Sequence, residues 1–177
     1  MENKYIGSCD FKYDDLKYLL DRYPSIKKVS FVVIGEPFII RDLIPMAQLA
    51  KKYNKKTSVI TNASLLHHHW GKIAGSFDSI SISIHGTNAT DLSKNSNVDS
   101  AIFNQLIYNI KYLTLVEHKL NTSMNIRSSV VILKSDMHRL ENAAIFCIEN
   151  NIKTLDLQNF LPYDIRDSDM CIFDDDN

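Results

Sequence analysis

Val29-Ser30-Phe31-Val32-Val33-Ile34-Gly35-Glu36-Pro37 is an apolar run that breaks into a glycine, a carboxylate and a proline. A parallel strand handing over to the loop before its helix reads this way, and ligand chemistry gathers at such strand ends. Two more strand exits follow, Ser58-Val59-Ile60-Thr61-Asn62-Ala63 and Ser79-Ile80-Ser81-Ile82-Ser83-Ile84-His85-Gly86. The pattern is therefore a series.

Working outward, Tyr13, Leu16, Leu20 and Tyr23 recur at helical spacing before the first strand, and Pro24 stops that helix. After the strand at 29–34, Asp42 is placed to cap a helix that tolerates Pro45 in its first turn and buries Leu43, Met46, Ala47 and Ala50. A strand near 57–61, a helix over 64–74 with Leu65, Leu66, His69 and Ile73, and a strand at 79–84 come next. A polar loop at 86–99 leads to a helix through Ile102, Leu106, Ile110 and Leu113. A strand at 123–132, a helix capped near Ser135 or Asp136 and running to Asn150, and a strand at 153–158 complete the series. Alternating strands and helices at this spacing predict a parallel sheet wound by helices.

The strands also indicate what lies on each face. A sheet with helices on both sides reads as continuous apolar runs. Here Ile80, Ile82 and Ile84 alternate with Ser79, Ser81 and Ser83. Met124, Ile126 and Val130 alternate with Asn125, Arg127 and Ser129, and Leu155 and Leu157 with Asp156 and Gln158. The expected fold is α/β: an open, partial TIM-like (β/α) barrel of about five parallel strands, with helices on the outer face and a polar inner face. A charge inside that curve needs a partner, because an unpaired buried ion costs several kcal/mol. Arg127 must therefore meet a carboxylate, a ligand or water. Two readings stay open: a small zwitterion held between Glu36 and Arg127, or a direct Glu36–Arg127 salt bridge.

Composition narrows the classes. Twenty basic against 21 acidic residues give a net charge of −1, without a basic stripe for a phosphate backbone, so nucleic acid is not indicated. No stretch approaches the roughly 18 apolar residues of a membrane span, and no cleavable leader is evident. The expectation is a soluble, cytoplasmic, single-domain protein over residues 1–177, with 164–177, ending in Asp174-Asp175-Asp176, as a solvated acidic tail. Cys9, Cys147 and Cys171 are too dispersed for a CxxC-type cluster, and Cys147 falls on an apolar helical stripe with Leu140 and Ala144. His67-His68-His69 read as a helix surface whose side chains diverge by about 100° each, and His118 and His138 as solvent-facing. No GxSxG, P-loop, HExxH or GxGxxG is present.

Taken together, the motifs resemble the radical S-adenosylmethionine (radical SAM) superfamily. Gly35-Glu36-Pro37 is similar to its GGEP strand end, with Ile34 in place of the first glycine. Thr61-Asn62-Ala63 is similar to TNG, and Ser81-Ile82-Ser83-Ile84-His85-Gly86 to SVSIDG, with His85 where aspartate is common. Asn109-Ile110-Lys111-Tyr112-Leu113 resembles the NI(R/K)xL helix, and Asn159-Phe160-Leu161-Pro162-Tyr163 the exit of the last strand. The resemblance covers about residues 12–163.

The resemblance implies a partial barrel that binds S-adenosylmethionine across its C-terminal strand ends. Gly35, Glu36 and Pro37 would meet the methionine ammonium, and Ser83 and Arg127 its carboxylate or the ribose. Asn62 would support the floor, and Leu161, Pro162 and Tyr163 would lie near the adenine. The family's CxxxCxxC loop, which holds a 4Fe-4S cluster, is not in the chain, and neither is its first strand. Cys9 is the nearest candidate ligand, and one thiolate cannot hold a cubane. The expectations are a radical SAM core that depends on a cluster supplied outside this chain, or a small-molecule-binding or partner module without radical chemistry. A third expectation is a fragment with neither activity, whose open sheet edge a homo-oligomer or a partner chain would have to cover.

Overall fold

The computed structural model describes residues 11–91, 100–120, 123–132 and 139–159. Helix α1 spans Tyr13–Arg22 and leads into strand β1, Lys28–Phe31. Helix α2 (Leu43–Lys52), β2 (Lys56–Thr61), α3 (Trp70–Ser76) and β3 (Ser79–Ser83) follow. Then come α4 (Ser100–Lys119), β4 (Asn125–Ile132), α5 (Arg139–Glu149) and β5 (Thr154–Asn159). All five strands are parallel in one open sheet, ordered as in the chain, β1-β2-β3-β4-β5. A single winding direction with right-handed crossovers sends every helix to the same face.

The alternation in the strands is what that layer requires. Val59, Ile80, Ile82, Ile126 and Val130 are buried with Leu43, Ala47, Ile73, Leu106, Ile110, Leu113, Ala143 and Phe146 from α2 to α5. Ile80 and Ile82 are both fully buried, each stabilising the fold by about 1.5–3 kcal/mol. A smaller cluster seats Leu16 and Leu20 of α1 on Met46, Leu49 and Ala50 of α2, with Val29 and Phe31 of β1 beneath. The intervening side chains point the other way. Ser30, Ser58 and Ser79 align across three strands, and Ser81 pairs with Arg127, which pairs with Thr154.

Several boundaries differ from the sequence reading. The first strand stops at Phe31, leaving Val32, Val33 and Ile34 exposed, with Ile34 108% accessible. The cause is a mismatch in length. Phe31 is in register with Val59, yet Glu36, five residues on, is tied to Asn62, only three residues on, so two residues must loop outward. The helix expected over 64–74 is a 3₁₀ turn, Leu66–His68, followed by α3. Asp42 holds the N-cap position of α2 without a side-chain capping bond, and Tyr23 is exposed just past α1. The cap near Ser135 or Asp136, His138 and the acidic tail lie outside the described residues. Among the described residues, no helix is long and apolar enough to cross a membrane.

Candidate functional site

Parallel strands bring their C-terminal ends to one rim, so the exits of β1, β2 and β3 meet there. At the first exit Gly35 adopts φ +102°, a conformation open to glycine and strained for other residues. That turn delivers Glu36 to the start of a 3₁₀ helix, Pro37–Ile39, where its Oε1 accepts from the Phe38 N–H at 3.2 Å. The same oxygen accepts from the Thr61 hydroxyl at 2.7 Å, while Oε2 accepts from the Asn62 N–H at 2.9 Å. Glu36 is thus a carboxylate only 8% exposed, fixed by three donors from two strand exits.

The second exit is built as carefully. Ala63 sits at φ +62°, the left-handed region, and its N–H donates to the Thr61 hydroxyl at 2.9 Å. Asn62 closes an Asx turn, its Oδ1 accepting from the Ser64 N–H at 2.9 Å. Asn109, fully buried in the middle of α4, donates to the Ala63 and Ser64 carbonyls at 2.7 and 3.1 Å. Gln105 Nε2 in turn donates to Asn109 Oδ1 at 2.9 Å. A buried polar group costs energy unless paired, and here each partner satisfies the other. The clamp holds the turn that presents Asn62 to the rim.

Ser83 ends β3 opposite Ser129, on the face that carries Ser79 and Ser81. Arg127 lies on that face two residues below the rim. Its Nε and Nη2 hold Asp156 of β5 in a two-pronged pair, the Nε contact being 2.8 Å. The hydrogen bond to Asp156, then its charge, raises the guanidinium further above its ordinary value. The direct Glu36–Arg127 bridge is therefore not formed. Three strand spacings of about 4.8 Å separate β1 from β4, roughly 14 Å in a flat sheet. Leu161, Pro162 and Tyr163 lie outside the described residues, as does Cys9.

Sequence reasoning passed over Thr61 as a carboxylate anchor, Asn109 as a turn clamp and Asp156 as the counter-ion of Arg127. A signal existed for Asn109, a polar residue between Leu106, Ile110 and Leu113 on a buried stripe. Asp156 pairs with Ser129, two register positions beyond Arg127 and on the same face, a relation that only the β4–β5 register creates.

The other chemical candidates do not converge. Among the described residues no group of three or more His, Cys, Asp and Glu side chains could hold a metal ion. Cys147 is buried under the helix layer, and burial pushes its thiol above the ordinary value, with a smaller opposing effect from Ser128. The His67 and His68 rings touch, with centroids 3.9 Å apart, within the 3₁₀ turn Leu66–His68.

No family model matches the sequence, and no curated protein matches it. Solved structures do. TYW1 with a lysine-pyruvate adduct bound superposes with a TM-score of 0.66 at 10% identity, over 89% of this chain and 55% of that one. Streptococcus suis SuiB bound to S-adenosylmethionine gives 0.67 at 19% identity, over 88% of this chain and 36% of SuiB. Native anSMEcpe with bound AdoMet gives 0.63 at 16% identity, over 88% and 45%. The chain thus spans from about a third to just over half the length of these proteins. All three are radical SAM enzymes, and what this chain shares with them is the fold: the open, parallel, one-sided (β/α) sheet of a radical SAM core.

Proposed function

We propose that the C-terminal rim binds S-adenosylmethionine, with the methionine ammonium on Glu36 and the Gly35–Pro37 turn. The nucleoside end then runs along the serine face past Ser83 toward Arg127. The observation that carries this reading is the state of Glu36. A carboxylate has about four acceptor sites, and the Phe38, Thr61 and Asn62 donors take three of them. One acceptor site and a full charge remain at a strand exit, which suits an ammonium. The ligand-bound neighbours SuiB and anSMEcpe support the same ligand on the same fold. Asn62 forms the floor, held by the Asn109 clamp. Arg127, already neutralised by Asp156, retains N–H donors for ribose oxygens.

A 4Fe-4S cluster, when bound beside this ligand, would supply the electron that cleaves it to a 5′-deoxyadenosyl radical. The described residues do not fit such a cluster: the one cysteine among them is a protonated thiol under the helices. Its ligands would come from outside those residues, and no step is derived through it. A second reading is a barrel that binds the ligand without radical chemistry. Calorimetric titration of the full chain with S-adenosylmethionine tests the shared part. Glu36→Gln is expected to weaken binding tenfold or more, and equal affinity in that variant would overturn the assignment. Anaerobic reconstitution with iron and sulfide separates the two readings: cluster absorbance with reductive cleavage selects the first, and binding without iron selects the second.

A further inference from the structure

Among the described residues no strand pairs the outer edge of β1, which offers a second binding surface that does not depend on the rim ligand. The Lys56 N–H donates to the Lys27 carbonyl at 3.0 Å, so Lys27, Val29 and Phe31 turn their backbone groups toward β2. By the alternation of a strand, Lys28 and Ser30 turn theirs outward, and both residues are exposed, as is Val32 just past the end of the strand. Unpaired edge groups of this kind are a template for a further strand. Beside them runs a groove of about 890 Å³, floored by Leu16, Leu20 and Met46 of α1 and α2. Exposed Val32 and Val33 also line it.

Charge indicates the occupant. Lys12, Lys28 and Arg41 line the groove, and Asp42 is the one carboxylate lining it among the described residues. A second copy of this chain would bring the same excess of cations to the contact, a like-charge juxtaposition that disfavours self-pairing. A strand that alternates apolar residues with carboxylates answers both features. Its apolar side chains enter the groove on the helix side, and its carboxylates lie on the open face beside Lys28.

We infer that the β1 edge accepts an added β-strand from another polypeptide, one of alternating apolar and acidic residues, which extends the sheet beyond β1. The test uses the full chain and two capped octapeptides, one alternating valine with glutamate and the other valine with lysine, read by amide hydrogen exchange. The glutamate peptide is expected to slow exchange at Lys28 and Ser30 at least tenfold, leaving Val29 and Phe31 unchanged, and the lysine peptide to leave all four unchanged. Ser30→Pro, which removes an outward backbone donor, leaves the backbone bonds to β2 in place and deletes only the bond that the Ser58 hydroxyl donates to the Ser30 hydroxyl at 2.9 Å, is expected to abolish that protection. If this variant does not fold, the pair Lys28→Glu and Arg41→Glu replaces it and is expected to reverse the preference between the peptides. Equal protection by both peptides, protection by neither, or outward amides already protected in the free chain, as a monomer or as a dimer in sedimentation, would each overturn the proposal.

Discussion

Two carboxylates, Glu36 and Asp78, stand at opposite ends of the same strand and do different work. Both are anchored by a buried threonine of β2. Glu36 accepts from Thr61 at the C-terminal end, and Asp78 accepts from the Thr57 N–H at 2.8 Å at the N-terminal end. Around Asp78 the remaining partners are cations of this chain: Lys51 Nζ at 2.7 Å and Lys56 Nζ at 3.4 Å. Around Glu36 they are neutral backbone and hydroxyl donors. A carboxylate already matched by lysines is saturated and structural. One held only by neutral donors has no counter-ion among the described residues. The N-terminal rim of such a sheet stabilises, and the C-terminal rim binds.

Exchanging the two carboxylates for amides should separate these roles most sharply. Asp78→Asn turns an amide toward Lys51 or the Thr57 N–H and is expected to cost about 2–3 kcal/mol of stability, with S-adenosylmethionine affinity intact. Glu36→Gln is expected to cost about 1–2 kcal/mol through the clash of its amide with the Asn62 N–H, and to lose the ligand as well. Chemical denaturation and titration of both variants decide the matter. If Asp78→Asn also loses the ligand, the division between the rims fails. Next in size, Gly35→Ala forces a side chain into φ +102° and is expected to cost about 1–2 kcal/mol, lowering the urea midpoint and displacing Glu36.

A pH titration sharpens the same contrast. Burial opposes ionisation of Asp78, but bonds from Lys51 and Thr57 prevail and lower its pKa from 3.8 to about 2. Because the folded value is the lower one, Asp78 contributes stability above pH 3.8, which is lost as pH falls through about 2. The effect is about 1 kcal/mol after solvent screening. Stability of the wild type should therefore fall more steeply across that window than stability of Asp78→Asn, and parallel curves would contradict the assignment. The smallest expected effect is a gain. Ala63 pays for a left-handed conformation, φ +62°, that glycine adopts freely, so Ala63→Gly is expected to raise stability by up to about 1 kcal/mol. A fall in the thermal midpoint would show that the methyl group's packing outweighs the strain.

The element series, the parallel order and the one-sided helix layer were legible in the chain, because burial on one face of a sheet imposes a period of two on every strand that shares it. Gly35-Glu36-Pro37 and Thr61-Asn62-Ala63 were legible for the same local reason: a strand exit needs turn residues, and these are unusual ones. The partners of those motifs were not legible. Nothing local says that the Glu36 carboxylate bonds Thr61, that Asn109 reaches back 46 positions to Ala63, or that Arg127 chooses Asp156 over Glu36.

What the sequence determined by itself is therefore periodic and local: which residues are strands, which face of each is apolar, and where each strand must turn. What only the tertiary structure decided is the pairing of charges and the exposed edge at β1. Those depend on register between strands distant in the chain. Two residues of slack after Phe31 push Val32–Ile34 into solvent, and a neighbouring strand places Asp156 within reach of Arg127 before Glu36 can approach it.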